Sequence, residues 1–185
     1  MKEMLIKTQE RLAFITEIAK RDENIGKTGM MKLLYLLQTV HKVPLGYDFE
    51  IYTYGPYCQA VMSDIEYAEF VEYIQVSPVT YPNGMNGYQI KTMSDGLDLV
   101  EKELDVISPY SAKIDSVISF FGKKTAKELE LYSTIVFVVS SYSNNDWEKT
   151  QEEICSTVKK IKPHFPDETI SAAYEDLESN GFFEQ

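Results

Sequence analysis

Two cysteines in 185 residues, Cys58 and Cys155, leave no disulfide framework to read. Neither belongs to a C-x-x-C pair, so a reducing compartment is the expected setting. Histidine is equally scarce. Around His41 and His164 no cysteine or carboxylate pair stands at ligand spacing, so no metal site is proposed. His41 follows an expected helix and would be favoured as the imidazolium there by the helix dipole. The chain also lacks a G-x-S-x-G elbow, an H-E-x-x-H pair and a glycine-rich dinucleotide fingerprint. Gly26-Lys27-Thr28 ends like a phosphate-binding loop, but Arg21 stands where the first glycine is required. With no nucleophile beside a base, no catalytic residue and no cofactor emerge, and the chain reads as a binding protein and not an enzyme. The most apolar stretches, 30–37 and 135–139, fall far short of the roughly 20 residues a membrane helix needs. The first 21 residues carry charges throughout, unlike a signal-peptide core. A soluble, cytoplasmic protein with no membrane partner is the expectation.

The most informative absence is of positive charge. The formal net charge is −11, yet it is unevenly laid out. Residues 43–90 hold no Lys or Arg against six Asp/Glu, and residues 163–185 repeat that balance. A stretch without cations cannot release counterions from a phosphate backbone, which supplies most nucleic-acid affinity. Nucleic acid is therefore not the expected partner.

What is present is mainly helical periodicity. Over 4–20, Leu5, Leu12, Ile15 and Ala19 recur at helical spacing, and 28–40 carries apolar residues over a wide face, including Met30, Leu33, Leu34 and Leu37. Residues 48–54 alternate, with Phe49, Ile51 and Thr53 to one side and Glu50, Tyr52 and Tyr54 to the other, as in a half-buried strand. Gly55-Pro56 then reads as a junction, with proline at the first position of a helix carrying Val61, Ile65 and Ala68. Segments 70–80 and 88–92 read as a hairpin across the turn-rich loop 82–87. Ser94 and Asp95 are expected to cap a short helix. In the second half, Ser108-Pro109 opens a helix to Phe121, and Thr125 with Glu128 forms a capping box for a helix to Val139. A loop is expected over 140–146. Thr150 with Glu153 offers another box, and Asn180-Gly181 stops the last helix. The fold class is mainly α (α+β). A winged-helix-like N-terminal unit with a small β-hairpin spans 1–106, and a helical C-terminal bundle spans 107–185.

Eight of the thirteen tyrosines fall in the cation-free stretch 43–90. Tyrosine brings rigid amphipathic area and is enriched at protein interfaces. Tyr52 and Tyr54 share a strand face beside Tyr57, Asp64 and Glu66, an arrangement suited to a basic protein partner.

The run Met31-Lys32-Leu33-Leu34-Tyr35-Leu36, followed by Phe49-Glu50-Ile51-Tyr52-Thr53-Tyr54-Gly55-Pro56-Tyr57, resembles the hallmark of SocA-like proteins carrying the Panacea domain. The Tyr-Gly-Pro-Tyr form is similar to that of the YwgA-like bacterial proteins. The resemblance covers roughly residues 5–75. It implies an antitoxin that binds and neutralises a toxin, or a proteolytic adaptor, with Tyr54, Gly55, Pro56, Tyr57 and the following helix as the functional stretch. The expected partner-binding set is thus Tyr52, Tyr54, Gly55, Pro56, Tyr57, Asp64 and Glu66, with a basic toxin as the expected protein partner. A winged-helix regulator on DNA, and an interaction domain without a toxin, are the alternatives.

Overall fold

The computed structural model describes residues 6–80, 84–147 and 150–183. Leu5, and Pro82 and Asn83 of the expected hairpin loop, lie outside them.

Helix α1 (Thr8–Arg21) is buried at every residue from Leu12 to Ala19, including Phe14, Ile15 and Ile18. Its last turn carries Lys20 and Arg21, which complement the dipole. Arg21 pairs with Glu17 within α1 at 2.6 Å and ties α1 to a later helix by reaching Asp115 at 2.7 Å. Helix α2 (Lys27–Thr39) is buried at every residue from Met30 to Leu37, as expected of a central helix. That burial includes Lys32.

Strand β1 (Glu50–Tyr52) and strand β2 (Gly55–Tyr57) follow, and they overturn one expectation. They pair antiparallel around a two-residue turn, Thr53-Tyr54, with Glu50 opposite Tyr57, Ile51 opposite Pro56 and Tyr52 opposite Gly55. Gly55-Pro56 is therefore the return strand of a tight hairpin and not a strand-to-helix junction. The reason is Gly55, which takes φ +87, a left-handed backbone that turns the chain back before any helix starts. Helix α3 (Gln59–Phe70) begins three residues after Pro56, with Cys58 at its N-cap. It buries Val61, Ile65 and Ala68 as expected and also takes in Phe70, which the sequence pattern placed in a strand.

Strands β3 (Ile74–Thr80) and β4 (Asn86–Thr92) form the second antiparallel hairpin. It docks through the Ile90 N–H, which donates to the Ile25 carbonyl at 2.8 Å. Helices α1 to α3 with this hairpin make a winged-helix-like unit, with β1–β2 inserted between α2 and α3.

Helix α4 (Ser94–Lys102) starts with Met93 at the N-cap and no side-chain cap, so the expected Ser94/Asp95 cap does not form. Helix α5 (Leu104–Ile107) and a 3-10 turn over Ser108–Tyr110, with Pro109 early in it, lead into helix α6 (Ser111–Phe121). Helix α7 (Ala126–Asn144) opens on the expected Thr125/Glu128 capping box. It continues to Asn144, through most of the segment expected to be a loop, and 145–146 form the turn that follows. Ser141 and Ser143 donate to the carbonyls of Phe137 and Val139 at 2.8 and 2.9 Å, so these serines bond within the helix. Helix α8 (Gln151–Ile161) is capped by Thr150, and helix α9 (Asp167–Ser179) ends at Asn180, with Gly181 at φ +73. Beyond it Phe182 folds back onto Phe120 and Phe121, with ring centroids 4.6 and 5.0 Å away.

The core runs as one cluster from Ile6 to Phe182. The architecture is mainly helical with two small antiparallel hairpins. No described helix is long and apolar enough to cross a membrane.

Candidate functional site

The β1–β2 hairpin is too short to hold its own shape, because an isolated two-stranded hairpin is marginal in water. Three buried contacts hold it. Gly55 lies against α7 so closely that an added Cβ would stand 3.1 Å from Ser133 Oγ and 3.3 Å from both the Glu130 carbonyl and Thr134 Oγ1. From α2, Lys32 Nζ donates to the Pro56 carbonyl at 2.5 Å. From the end of α8, Lys162 Nζ donates to the carbonyls of Tyr52 and Thr53.

Lys162 is only 2% exposed, and a buried ammonium requires a counter-charge. Glu130 on α7 provides it at 2.9 Å, and His164 Nε2 stands 3.4 Å from the same carboxylate oxygen. Lys32 has a harder position. Burial, and then the nearby positive charge of Lys162, hold its pKa down to about 8, with Glu130 pulling the other way. Two lysines and a glutamate under a hairpin of three-residue strands thus fix its backbone from below.

Above that clamp the hairpin tip faces solvent. Tyr52 is 60% and Tyr54 72% exposed. Tyr57 is half-buried, with its ring 5.4 Å from that of Tyr52 and its hydroxyl donating to Gln59 Oε1 at 2.6 Å. Gly55 and Pro56 are buried and act as the footing of this face, not its contact atoms. Glu66 is exposed on α3, about 10 Å along the helix from Gln59. Beside it stand the exposed Tyr67 and Phe70, whose rings stack at 6.5 Å.

Asp64 does not belong to that surface. It is 6% exposed, accepts from the Arg11 guanidinium at 2.8 Å and from the Tyr47 hydroxyl at 2.8 Å. The Arg11 guanidinium also lies 5.0 Å from the centre of the Tyr47 ring. Burial first, then the Asp64 charge, push the Tyr47 hydroxyl pKa up, while hydrogen bonding to Asp64 raises that of Arg11. This is a buried pair locking α3 to α1. A carboxylate on α3 meets a guanidinium 53 residues earlier, a partnership local pattern does not reveal.

A shallow groove of about 610 Å³ lies beside the hairpin, lined by Ile51, Tyr52 and Thr53 on one side and Ile161, Lys162, Pro163 and His164 on the other. The fold thus brings together the two cation-free stretches that lie far apart in sequence.

The remaining chemistry-bearing residues serve packing. Cys58 is buried, and its N–H donates to Met31 Sδ at 3.4 Å. Burial raises the Cys155 thiol pKa, which disfavours the thiolate. His41 departs from expectation: burial, then the charge of Lys113, lower its pKa and favour the neutral ring despite the helix end nearby. Lys27, from the phosphate-loop-like triplet, sits 4.7 Å over the Tyr88 ring. Among the described residues no group of three His, Cys, Asp or Glu is placed to hold a metal.

Sequence reasoning missed Lys32, Glu130 and Lys162. A signal for the first was available. Lys32 stands within Met30-Met31-Lys32-Leu33-Leu34, on a helix apolar all round, and such a lysine is buried and needs a partner. Glu130, between Leu129 and Leu131, carries the same mark. No protein-family model matches the chain, and no curated protein matches it.

Proposed function

We propose that this chain is a protein-binding module that holds its partner on the β1–β2 hairpin tip, through Tyr52, Tyr54 and Tyr57, with Glu66 on α3 at the margin. By its resemblance to the Panacea-domain proteins, it acts as an antitoxin or proteolytic adaptor toward a basic partner protein. The observation that carries this reading is the exposure of Tyr52 and Tyr54 on a hairpin clamped from beneath. Rigid aromatic side chains on a fixed backbone lose little entropy on binding, which is the character of interface anchors.

The charge around the tip favours protein over nucleic acid. The outward face of α3 carries Ser63, Glu66, Tyr67 and Phe70, with no Lys or Arg to meet a phosphate. Acidic groups at the margin speed the approach of a basic partner and make it salt-sensitive.

The test is to capture the partner with the intact chain and measure its affinity for variants. Tyr52→Ala with Tyr54→Ala is expected to weaken binding at least tenfold without moving the melting curve. Glu66→Lys is expected to slow association. Unchanged affinity in the double tyrosine variant overturns the reading, as does sub-micromolar, salt-sensitive binding to duplex DNA.

A further inference from the structure

The hairpin carries a second recognition element besides its tyrosines, and it lies in the backbone. Residue pairs in an antiparallel ladder alternate between hydrogen-bonded and unbonded. Ile51 stands opposite Pro56, which has no N–H. The Pro56 carbonyl is engaged from outside the ladder by Lys32. Ile51–Pro56 is therefore the unbonded pair, and the N–H and carbonyl of Ile51 point off the free edge of β1. Among the described residues, none outside the hairpin bonds to either group.

That edge forms one wall of the groove, with Ile161, Lys162, Pro163 and His164 across from it. An unpaired edge beside a groove is the setting in which an extended peptide adds as a new strand. Main-chain bonds give such a contact affinity, while alternate side chains entering the groove give it selectivity.

Charge decides the chemistry of the occupant. One wall belongs to 43–90, and Pro163 and His164 of the other belong to 163–185, neither of which holds a Lys or Arg. Asp48 and Glu50 are exposed beside β1. The one lysine lining the groove, Lys162, is occupied by Glu130 and the turn carbonyls. We propose that an extended basic segment of the partner adds to β1 as a third strand, bonded to Ile51 through its main chain and seated in this groove. This rests on the protein-binding reading above and specifies its mode.

The probe is a blocked octapeptide of alternating lysine and valine, titrated into the isotope-labelled chain and followed by NMR. Saturable binding is expected, with the Ile51 amide moving downfield and the Tyr52, Ile161 and His164 signals shifting with it. The same peptide N-methylated at alternate residues, tried in both registers, is expected to lose at least tenfold in affinity in one of them. A glutamate–valine octapeptide is expected to bind at least tenfold more weakly. Ile51→Pro removes the outward N–H and spares the ladder, and it too is expected to cost tenfold. If that variant unfolds, the N-methylated peptides decide. An unmoved Ile51 amide, equal binding by both methylated peptides, or no binding at millimolar peptide overturns the proposal. So does a concentration-dependent dimer that shifts the Ile51 amide without peptide, which would put a second copy on this edge. Loss of the whole partner in the Tyr52→Ala/Tyr54→Ala variant, together with equal binding by the methylated peptides, would remove strand addition and leave the protein-binding reading standing. Strand addition that survives while no protein depends on the tyrosines would do the reverse.

Discussion

The two hairpins are built on opposite principles. β3–β4 has seven residues in each strand, paired along their whole length, and it seats Ile74 and Ile90 in the core, with further bonds from Ile90 to Ile25, from the Val76 N–H to the Glu69 carboxylate at 3.2 Å and from the Thr92 hydroxyl to the Thr16 carbonyl at 3.0 Å. β1–β2 has three residues in each strand and gets its shape from buried charge and close packing beneath it. The long hairpin has a ladder of seven pairs besides its core contacts, whereas the short one has three pairs and depends on its neighbours for shape. A substitution in the neighbours should therefore damage the short hairpin and leave the long one alone.

The sharpest break is Lys162→Met. It leaves Glu130 buried without its closest counter-charge and the turn carbonyls of Tyr52 and Thr53 without a donor. Removing one member of a buried pair costs about 3–5 kcal/mol, read as a fall in the denaturant midpoint. Replacing Lys162 and Glu130 together by methionine should recover part of that loss, since no buried charge is then uncompensated.

Next come two glycines of similar backbone and different surroundings. Gly55 and Gly84 take φ +87 and +79, but Gly84 meets nothing within 4 Å where a Cβ would stand. Gly84→Ala should cost only the left-handed strain, about 1 kcal/mol. Gly55→Ala adds a clash with α7 and should cost about 2–4 kcal/mol, and it should disturb the Tyr52 and Tyr54 signals. Equal costs would mean the hairpin is not seated on α7.

The third prediction uses pH. Lys32 loses its proton near pH 8 in the fold and near 10.5 when unfolded. Between those values the unfolded chain binds the extra proton, so stability from this group rises with pH, by roughly 3 kcal/mol in all. Below pH 8 both states are protonated and its contribution is flat. The stability difference between the natural chain and Lys32→Met should show that rise, while Gly84→Ala in the long hairpin should track the natural chain. The smallest effect is expected at Lys27→Ala, which removes a cation from over the exposed Tyr88 ring and should cost about 0.5 kcal/mol.

The helices were legible in the sequence because their signals are local. Thr125 and Glu128 sit three residues apart and cap one another, and Asn180-Gly181 ends α9 where its composition says it should. The alternation of 48–54 holds only to Tyr52: Thr53, expected to face inward, is exposed, and it forms the turn with Tyr54, so Tyr54 is exposed as a turn residue and not as part of a strand face. The junction at Gly55-Pro56 was misread because proline favours both a helix start and an edge strand, and only the left-handed Gly55 separates them. Asp64 was misplaced because its partners, Arg11 and Tyr47, come from other elements. Lys162 and Glu130 are 32 residues apart and meet only once α7 and α8 have packed, so no spacing rule joins them.

Lys162 has a double position whose consequence is dynamic. Its N–H closes the last turn of α8 on the Val158 carbonyl, while its side chain holds the hairpin turn. The end of α8 therefore cannot fray without releasing the tip, and the tip cannot swing out without loosening α8. Segments more than a hundred residues apart in sequence are expected to open together, read as matching hydrogen-exchange rates at the Lys162 and Gly55 amides. A molecule that binds Tyr52 and Tyr54 is expected to slow exchange at the end of α8, behind the tip.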